Sequence, residues 1–341
     1  MTTLTPIAGT TRLRAFQLGL ETTPLTPIAA TRRMPWSFAP TVNPNWTFVT
    51  ADTGTLDEAI APYRQALDVT GTSTGELFSN DVPTLLSAGV KGGLSLVGGG
   101  AAKTMTAAPA STSQDVFDTW TGEWYDDATG DAFQGAGGLI ESLTLTYPNT
   151  GGIITHSANW RFASVVYPGT PTGALSVDTN PTPLYSTDTQ LSINDTAGAI
   201  GTTVFSNQVY DIAITLNNAL DIKRFSNGYA TRFALAGYSR GPRTFSVTIT
   251  FAKATAAIAE VVKWLGNTAS ERFLDINTVS TQIITGATPH QMRWRVPGYW
   301  FTRTDTTVNT NTAFQLTANG IYDTTLTYPF QALSVSSRAT L

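Results

Sequence analysis

Apolar and polar residues alternate with a period of two in the clearest segments of the chain, which is the pattern of half-buried β-strands. Such runs occur at residues 143–147, 158–162 and 245–251. In the last run, the apolar residues Phe245, Val247, Ile249 and Phe251 alternate with Ser246, Thr248 and Thr250. These segments predict strands that bury one face and expose a hydroxyl-rich face.

Two short segments repeat their apolar residues every three to four positions, as amphipathic helices do. The first contains Val82, Leu85, Leu86 and Val90, after Asn80 or Asp81 as N-cap and before Gly92. The second contains Ile258, Val261, Val262 and Leu265, between Thr255 as N-cap and Gly266. The chain is therefore predicted to have a β-dominated α+β fold, made of antiparallel β-sandwich or barrel domains with one flanking α-helix each.

The order of these elements is repeated along the chain. Gln17 to Asn45 and Gln190 to Asn218 have the same length, and residues 157–168 resemble residues 317–329. We therefore predict two tandem domains of one fold, at residues 1–168 and 186–341, the second ending in a C-terminal arm. Residues 169–185, rich in Pro, Gly, Thr and Ser, are the predicted linker. Tandem units of this kind are typical of stacked or cyclic assemblies.

A long polar and aromatic loop follows the first strands of each repeat, at about residues 43–66 and 218–241. Loops of this length are uncommon unless they have a function, and exposed aromatic residues mark contact surfaces. The predicted aromatic contacts are Trp46, Phe48, Tyr63, Phe225, Tyr229, Phe233 and Tyr238. The loops differ in charge, with Asp52, Asp57 and Glu58 in the first and Lys223, Arg224, Arg232 and Arg240 in the second.

Composition argues for assembly and against most chemistry. Charged residues make up 13% of the chain, about half of the usual share, which favours a surface covered by neighbouring molecules. The chain has no cysteine and two histidines, so disulfides and thiolate sites are excluded and zinc or acid-base sites are disfavoured. We expect no cofactor, no metal and no enzymatic activity.

Charge and hydropathy also limit the partners. Residues 1–170 contain 14 acidic and 8 basic residues, and residues 171–341 contain 10 acidic and 12 basic ones. Neither half has the basic run that would hold nucleic acid. No leader or membrane-spanning segment is visible in the sequence, so we expect a soluble protein made in a cytoplasm.

Three segments resemble known catalytic or ligand-binding motifs. Gly237 to Gly241 matches G-x-S-x-G around Ser239, and Asp275 and His290 follow in the order of α/β-hydrolases. A strand, rather than the required helix, is predicted after Ser239, which favours a loop entering a strand. Asp126, Asp127 and Asp131 lack the spacing of a calcium loop, which favours a solvated acidic turn and leaves a stabilising calcium site as the alternative. The glycine-rich residues 91–103 lack the Lys-Ser/Thr ending of a phosphate loop. His156, on the face of Ala158 and Trp160, is expected to be a core or interface histidine.

The chain resembles the tail tube proteins (major tail proteins) of long-tailed phages with non-contractile, siphovirus-type tails. The resemblance lies in GLETTPLTPIAATRRMPWSFAPTVNPNWTF near the start, in the loop-strand-helix run ALDVTGTSTGELFSNDVPTLLSAGVKGG, and in the closing strands with a terminal arm. The resemblance covers most of the chain. It concerns the architecture and short sequence segments and includes no catalytic motif.

This resemblance implies a β-sandwich or barrel whose inner strands join those of neighbours around a central channel. Family members with one such domain form six-membered rings, so a two-domain chain would form three-membered, pseudo-hexameric rings. The long loop would reach from one ring to the next, and DNA would pass through a neutral-to-acidic channel without being held. The implied partners are copies of the chain itself, the tape measure protein, the tail terminator and the distal tail or baseplate proteins, and the implied location is the virion tail.

Two other interpretations remain open from the sequence. A β-rich capsid decoration or adhesin module would share the Thr-rich strands but would not stack into tubes. A serine hydrolase using Ser239 is the more distant alternative.

Overall fold

The structure is a computed structural model that describes residues 14–50, 59–64, 67–109, 116–126, 131–173, 175–178, 180–205, 207–223, 237–267 and 269–341. Its regular elements are antiparallel strands, two α-helices and short 3₁₀ turns. The predicted β-dominated α+β fold is confirmed.

Strands β1 to β11 and helix α1 form the first half of the described chain. Their bounds are β1 Arg14–Leu20, β2 Arg32–Met34, β3 Ser37–Asn43, β4 Trp46–Thr50, β5 Ala59–Arg64, β6 Asp68–Glu76, α1 Val82–Gly89, β7 Lys103–Ala107, β8 Trp120–Asp126, β9 Ala132–Tyr147, β10 Thr155–Phe162 and β11 Ser164–Val166.

Strands β12 to β20 and helix α2 form the second half. Their bounds are β12 Thr189–Asn194, β13 Val209–Asn217, β14 Leu220–Lys223, β15 Gly237–Arg240, β16 Thr244–Ala252, α2 Thr255–Leu265, β17 Arg272–Thr285, β18 Thr288–Val308, β19 Asn311–Gly320 and β20 Gln331–Ser336. The three alternating runs of the sequence lie in β9, β10 and β16.

The two halves have the same strand order. Hydrogen-bonded neighbours in the first half follow the order β1, β8, β9, β10, β6, β3. In the second half the order is β12, β17, β18, β19, β16, β13. Each half also has a separate two-stranded hairpin at the matching point, β4–β5 and β14–β15. The halves therefore follow one topological plan.

The halves share one 16-stranded sheet, because β13 of the second half pairs with β9 of the first. A further link is β20, which pairs with β18 and with β7. The predicted C-terminal arm thus begins as an internal strand. The predicted domain boundaries stay a prediction.

The residues predicted as linker are bound along the first half. The cis peptide Tyr167–Pro168 precedes them. The backbone N–H of Thr172 donates to buried Glu123 (2.7 Å), and Leu184 N–H donates to Leu77 O (3.1 Å).

Helix α1 lies where its periodicity predicts, but it is buried on every side, including at Thr84 and Ser87, whereas an amphipathic helix buries one face. Helix α2 differs from its prediction in another way. Its N-cap is Ala254 rather than Thr255, and Ile258, Val262 and Leu265 of the predicted core-facing stripe are exposed. Ala257 and Glu260 are the residues that α2 buries.

Glu260 fixes α2 to the sheet behind it. Its carboxylate accepts hydrogen bonds from Arg272 Nε (2.8 Å) and from Trp300 Nε1 (2.9 Å). A buried charge needs such partners. Ile258, Val262 and Leu265 therefore face outward because the side of α2 that carries Glu260 is anchored inward, while Val261 of the same predicted stripe packs against the core. Within the described residues, neither helix is long and apolar enough to cross a membrane.

Candidate assembly surface

Two strand edges of the large sheet matter for comparing its halves, because no described strand pairs with them. Strand β3 is the last strand of the continuous sheet and pairs only with β6 on its inner side. Residues 302–307 of β18 pair with β19 on one edge, and no described strand occupies the other. Unpaired backbone groups along a strand edge are a template for pairing with another chain.

In the first half, the edge equivalent to residues 302–307 of β18 is paired with another strand. Residues 142–147 of β9 pair with β10 on one edge and with β13 on the other, in the register Ser142 to Asn217 through Tyr147 to Ile212. Strand β13 has the place in its half that β3 has in the first. The contact between β13 and β9 is therefore an internal example of the contact that β3 and β18 lack.

Matching β-bulges fix the correspondence between β9 and β18. The β9–β10 register shifts between Asn159 and Trp160, which leaves Glu141 as the extra residue. The β18–β19 register shifts between Trp300 and Thr302, which leaves Phe301 extra. Aligning these bulges places Ser142 with Thr302 and Tyr147 with Thr307.

Matching turns fix the correspondence between β3 and β13. Asn45 and Ala219 have positive φ values of 48° and 44°. Each donates its N–H at 2.9 Å to the side-chain oxygen of the asparagine two residues earlier, Asn43 and Asn217. The chain therefore leaves β3 and β13 in the same way and enters the two hairpins at the same point.

Asn218 hydrogen-bonds the second half to the first. Its backbone N–H donates to the bulge carbonyl of Glu141 (2.8 Å). Its buried side-chain amide donates to Gly89 O (2.6 Å) and Ile140 O (2.7 Å). These bonds supply donors to buried carbonyls at the C-terminus of α1 and in β9.

The β14–β15 hairpin rests on the first half. The hydroxyl of Tyr238 donates to Gly137 O (2.9 Å) and Arg161 O (3.2 Å). Arg240 donates to Val90 O (2.9 Å), just after α1, and its guanidinium lies 4.7 Å from the centre of the Phe117 ring. Of the predicted loop contacts, Tyr238 and Arg240 are thus in contact with the first half of their own chain.

The β4–β5 hairpin presents Trp46 and Phe48 to solvent. Trp46 and Phe48 are 58% and 59% exposed, although large apolar side chains are usually covered. Tyr63 lies in β5, opposite Thr47. Lys223, in β14, forms an exposed ion pair with Asp221. The other predicted loop residues lie outside the described residues, namely Asp52, Asp57, Glu58, Arg224, Phe225, Tyr229, Arg232 and Phe233.

One face of the sheet is rich in hydroxyl groups across both halves. It extends over eight strands in the order β3, β6, β10, β9, β13, β16, β19 and the second part of β18. Side chains bond to one another between strands, as in the pairs Thr72 to Asn159 (2.7 Å) and Thr248 to Thr317 (3.0 Å). The opposite face carries the buried apolar residues of the same strands.

Charge on this hydroxyl face is sparse and mostly acidic. Its charged strand residues are Asp68, Glu76, Asp211 and Arg161. The guanidinium of Arg161 is paired with Asp68 and with bulge residue Glu141, both at 3.1 Å. The face therefore offers no unpaired cation among its described residues to hold a phosphate.

The residues of the hydrolase alternative lie in three separate hydrogen-bonded groups. Ser239 Oγ donates to Asp221 (3.2 Å) from within β15. Asp275 accepts from Arg293 (2.7 Å), and His290 Nδ1 lies 2.7 Å from Ser79 Oγ. A strand, β16, follows Ser239, as the sequence predicts.

Two further ionisable side chains, His156 and Asp81, are buried in the fold. His156 is buried against Trp36, and burial lowers its pKa to about 4. Burial also raises the pKa of Asp81 to about 6, against the opposing effect of the nearby Arg32 and Arg338 guanidinium groups. In the part of the chain that the structure describes, no three His, Asp or Glu side chains cluster as metal ligands.

Neither the protein-family models nor the curated protein sequences give a match to this chain.

Proposed function

We propose that this chain is a structural protein that assembles with its own copies into rings, and that the rings stack into a tube through which DNA passes. This is the role of the tail tube proteins that the sequence resembles. The observation that carries the proposal is the repeated strand order, in which β13 covers β9 while β3 and residues 302–307 of β18 remain open.

Pairing of β3 with β18 of the next copy would repeat the internal junction. The aligned bulges and turns set its register, with Asn43 opposite Thr302, Thr41 opposite Thr304 and Ala39 opposite Thr306. Pro40 and Pro44 have no N–H, so this pairing has at most two donors fewer than its internal counterpart, in which Asn218 N–H donates to Glu141 O. The pairing joins two different edges, and such head-to-tail contacts close into a ring when the rotation allows.

Three chains are the stoichiometry that the resemblance favours, because each chain supplies two units of a six-unit ring. Eight strands from each of three chains would close a barrel of 24 strands. With strands about 4.8 Å apart and tilted by about 40°, the barrel would be roughly 45–50 Å across between backbones. Such a ring leaves an open channel that admits a DNA duplex.

The hydroxyl face is the surface suited to line this channel. Its apolar opposite face is already buried, and its few charges are mainly acidic, so it would repel DNA phosphates rather than bind them. Tape measure, tail terminator and distal tail proteins are the further partners that this role implies, and the virion tail is the location.

Electron microscopy of the purified, concentrated protein tests this function. We expect tubes whose end-on averages show three-fold symmetry and six similar lobes. Discrete particles at every concentration would contradict tube formation and favour a decoration or adhesin module. Six full chains in a ring would contradict the proposed stoichiometry. Ester hydrolysis that is lost in Ser239→Ala would contradict a purely structural role.

A further inference from the structure

Equivalent positions in the two hairpins differ in exposure. Trp46 and Phe48 of β4 occupy the positions of Leu220 and Ile222 of β14, because Trp46 pairs with Arg64 as Leu220 pairs with Arg240. Leu220 and Ile222 are half-buried, whereas Trp46 and Phe48 are exposed. The first hairpin therefore lacks a covering surface that the second hairpin has.

The second hairpin is covered by the first half of its own chain. Residues directly opposite each other in an antiparallel pair share a face, so Leu220 and Ile222 share the face of Arg240 and Tyr238. That face lies on the first half, where its polar groups reach Val90 and Gly137. Trp46 and Phe48 lie on the corresponding face of the first hairpin, together with exposed Pro62.

The corresponding surface of the second half is apolar and uncovered. The C-terminal end of α2 exposes Val262 and Leu265, at 66% and 67%, and the adjacent bulge exposes Phe301 at 68%. Trp264 Nε1 lies 3.4 Å from Phe301 O, so helix end and bulge are neighbours. In the first half, β7 and Asp118 also contact α1. We therefore compare only the end of the helix and the bulge.

The polar groups of the internal junction are replaced by apolar ones at both open surfaces. Phe301 stands where the first half has Glu141, and Pro44 stands where the second half has Asn218. Pro44 cannot donate a backbone hydrogen bond. At the internal junction, Asn218 donates to backbone carbonyls and the Glu141 side chain is ion-paired with Arg161 of its own half. The open surfaces carry the apolar residues Phe301 and Pro44 at these positions.

We infer that Trp46 and Phe48 of one copy pack on Val262, Leu265 and Phe301 of the next copy in the same ring. This inference rests on the proposed function and names the partner surface of the first hairpin. It assigns the stem of the first loop to contacts within a ring, whereas the sequence predicted Trp46 and Phe48 as contacts between rings. The occupant is a second copy because the chain itself carries the matching hairpin in the matching place.

The test measures ring formation and tube growth separately. Native mass spectrometry and sedimentation of dilute protein report rings, and microscopy of concentrated protein reports tubes. The variants are Trp46→Asp with Phe48→Asp on the hairpin, and Val262→Asp with Leu265→Asp on α2. Val97→Asp, at another exposed apolar residue, is the matched control. All five positions are exposed, so circular dichroism should show folded protein.

We expect either double variant to raise the concentration needed for rings by at least about a hundredfold, and the control to leave it within about twofold. Rings that form normally from the hairpin variant, with tubes lost, would overturn the inference and return these aromatics to ring-to-ring contact. An effect of the hairpin variant without an effect of the α2 variant would also overturn it. Failure of the wild-type chain to form any ring would instead contradict the proposed function.

Discussion

The backbone N–H of Asn218 donates to the carbonyl of Glu141, so a residue of the second half completes the β-bulge of the first. The Asn218 side chain is fully buried and donates to two more carbonyls, of Gly89 and Ile140. This residue joins a strand end, a bulge and a helix end. It shows how the two halves recognise each other.

Asn218→Ala should lower the free energy of unfolding by about 2–3 kcal/mol, because two buried carbonyls lose their donor. Denaturant unfolding monitored by circular dichroism measures this change. Asn319→Ala, at an exposed position of the same sheet, should change stability by less than about 0.5 kcal/mol. Equal effects of both variants would contradict the role of Asn218 at the junction.

Glu260→Gln should destabilise the protein by about 3–5 kcal/mol, because it leaves the buried Arg272 guanidinium without its main counter-charge. The same measurement on Asp305→Asn, in an exposed ion pair with Arg303, should give a change below about 1 kcal/mol. If Glu260→Gln lowers the free energy of unfolding by less than about 1 kcal/mol, other contacts anchor α2.

His156 should make the protein less stable in mild acid. Its folded pKa of about 4 lies below the unfolded value of about 6.5. Between these two values the unfolded chain binds more protons than the folded one, so stability falls as the pH falls through this window. From pH 7 to 4.5 the loss due to His156 should be roughly 2–3 kcal/mol.

His156→Phe isolates this contribution, because Asp81, with its raised pKa, titrates in both proteins and has the opposite sign. The difference in unfolding free energy between variant and wild type should shift in favour of the variant as the pH falls from 7 to 4.5. A difference that stays constant across this range would contradict the lowered pKa.

The tips of the long loops should control stacking and leave rings intact. Replacing residues 51–58 by an Asn-Gly turn keeps the β4–β5 stem and removes Asp52, Asp57 and Glu58. We expect this protein to form rings in solution but no long tubes by microscopy. Because the second loop carries Arg224 and Arg232, any charge contribution to stacking should weaken with salt. Long tubes from the shortened protein would place the ring-to-ring contact elsewhere.

Much of the fold could be predicted from the sequence, because period-two alternation and repeated sequence segments reflect local secondary structure. The strands that contain Leu143, Trp160 and Val247 were predicted in this way, and so was the position of both helices. The resemblance of Gln17–Asn45 to Gln190–Asn218 indicated the shared order of elements. These features depend on neighbours along the chain, which a sequence displays directly.

The candidate assembly surface could be predicted only in part. Periodicity showed that Ile258, Val262 and Leu265 share a face of α2, but their exposure depends on the inward anchor between Glu260 and Arg272. The bulge at Phe301 and the open edges leave no local signal, because they arise from long-range strand pairing. The sequence predicted Trp46 and Phe48 as contact residues, which stays a prediction, but it did not predict the β4–β5 stem that presents them.

Disulfide cross-linking between engineered cysteines tests the pairing of β3 with β18 most directly, since the chain has no cysteine of its own. Thr41→Cys with Thr304→Cys places the two thiols opposite each other in neighbouring copies. Thr144→Cys with Thr215→Cys is the internal equivalent, because these residues are paired within the chain. Under mild oxidation, we expect the first protein to form covalent dimers and closed trimers, and the second to form a bond within single chains. Monomers alone from the first protein, while the second is oxidised, would contradict ring closure through these strands.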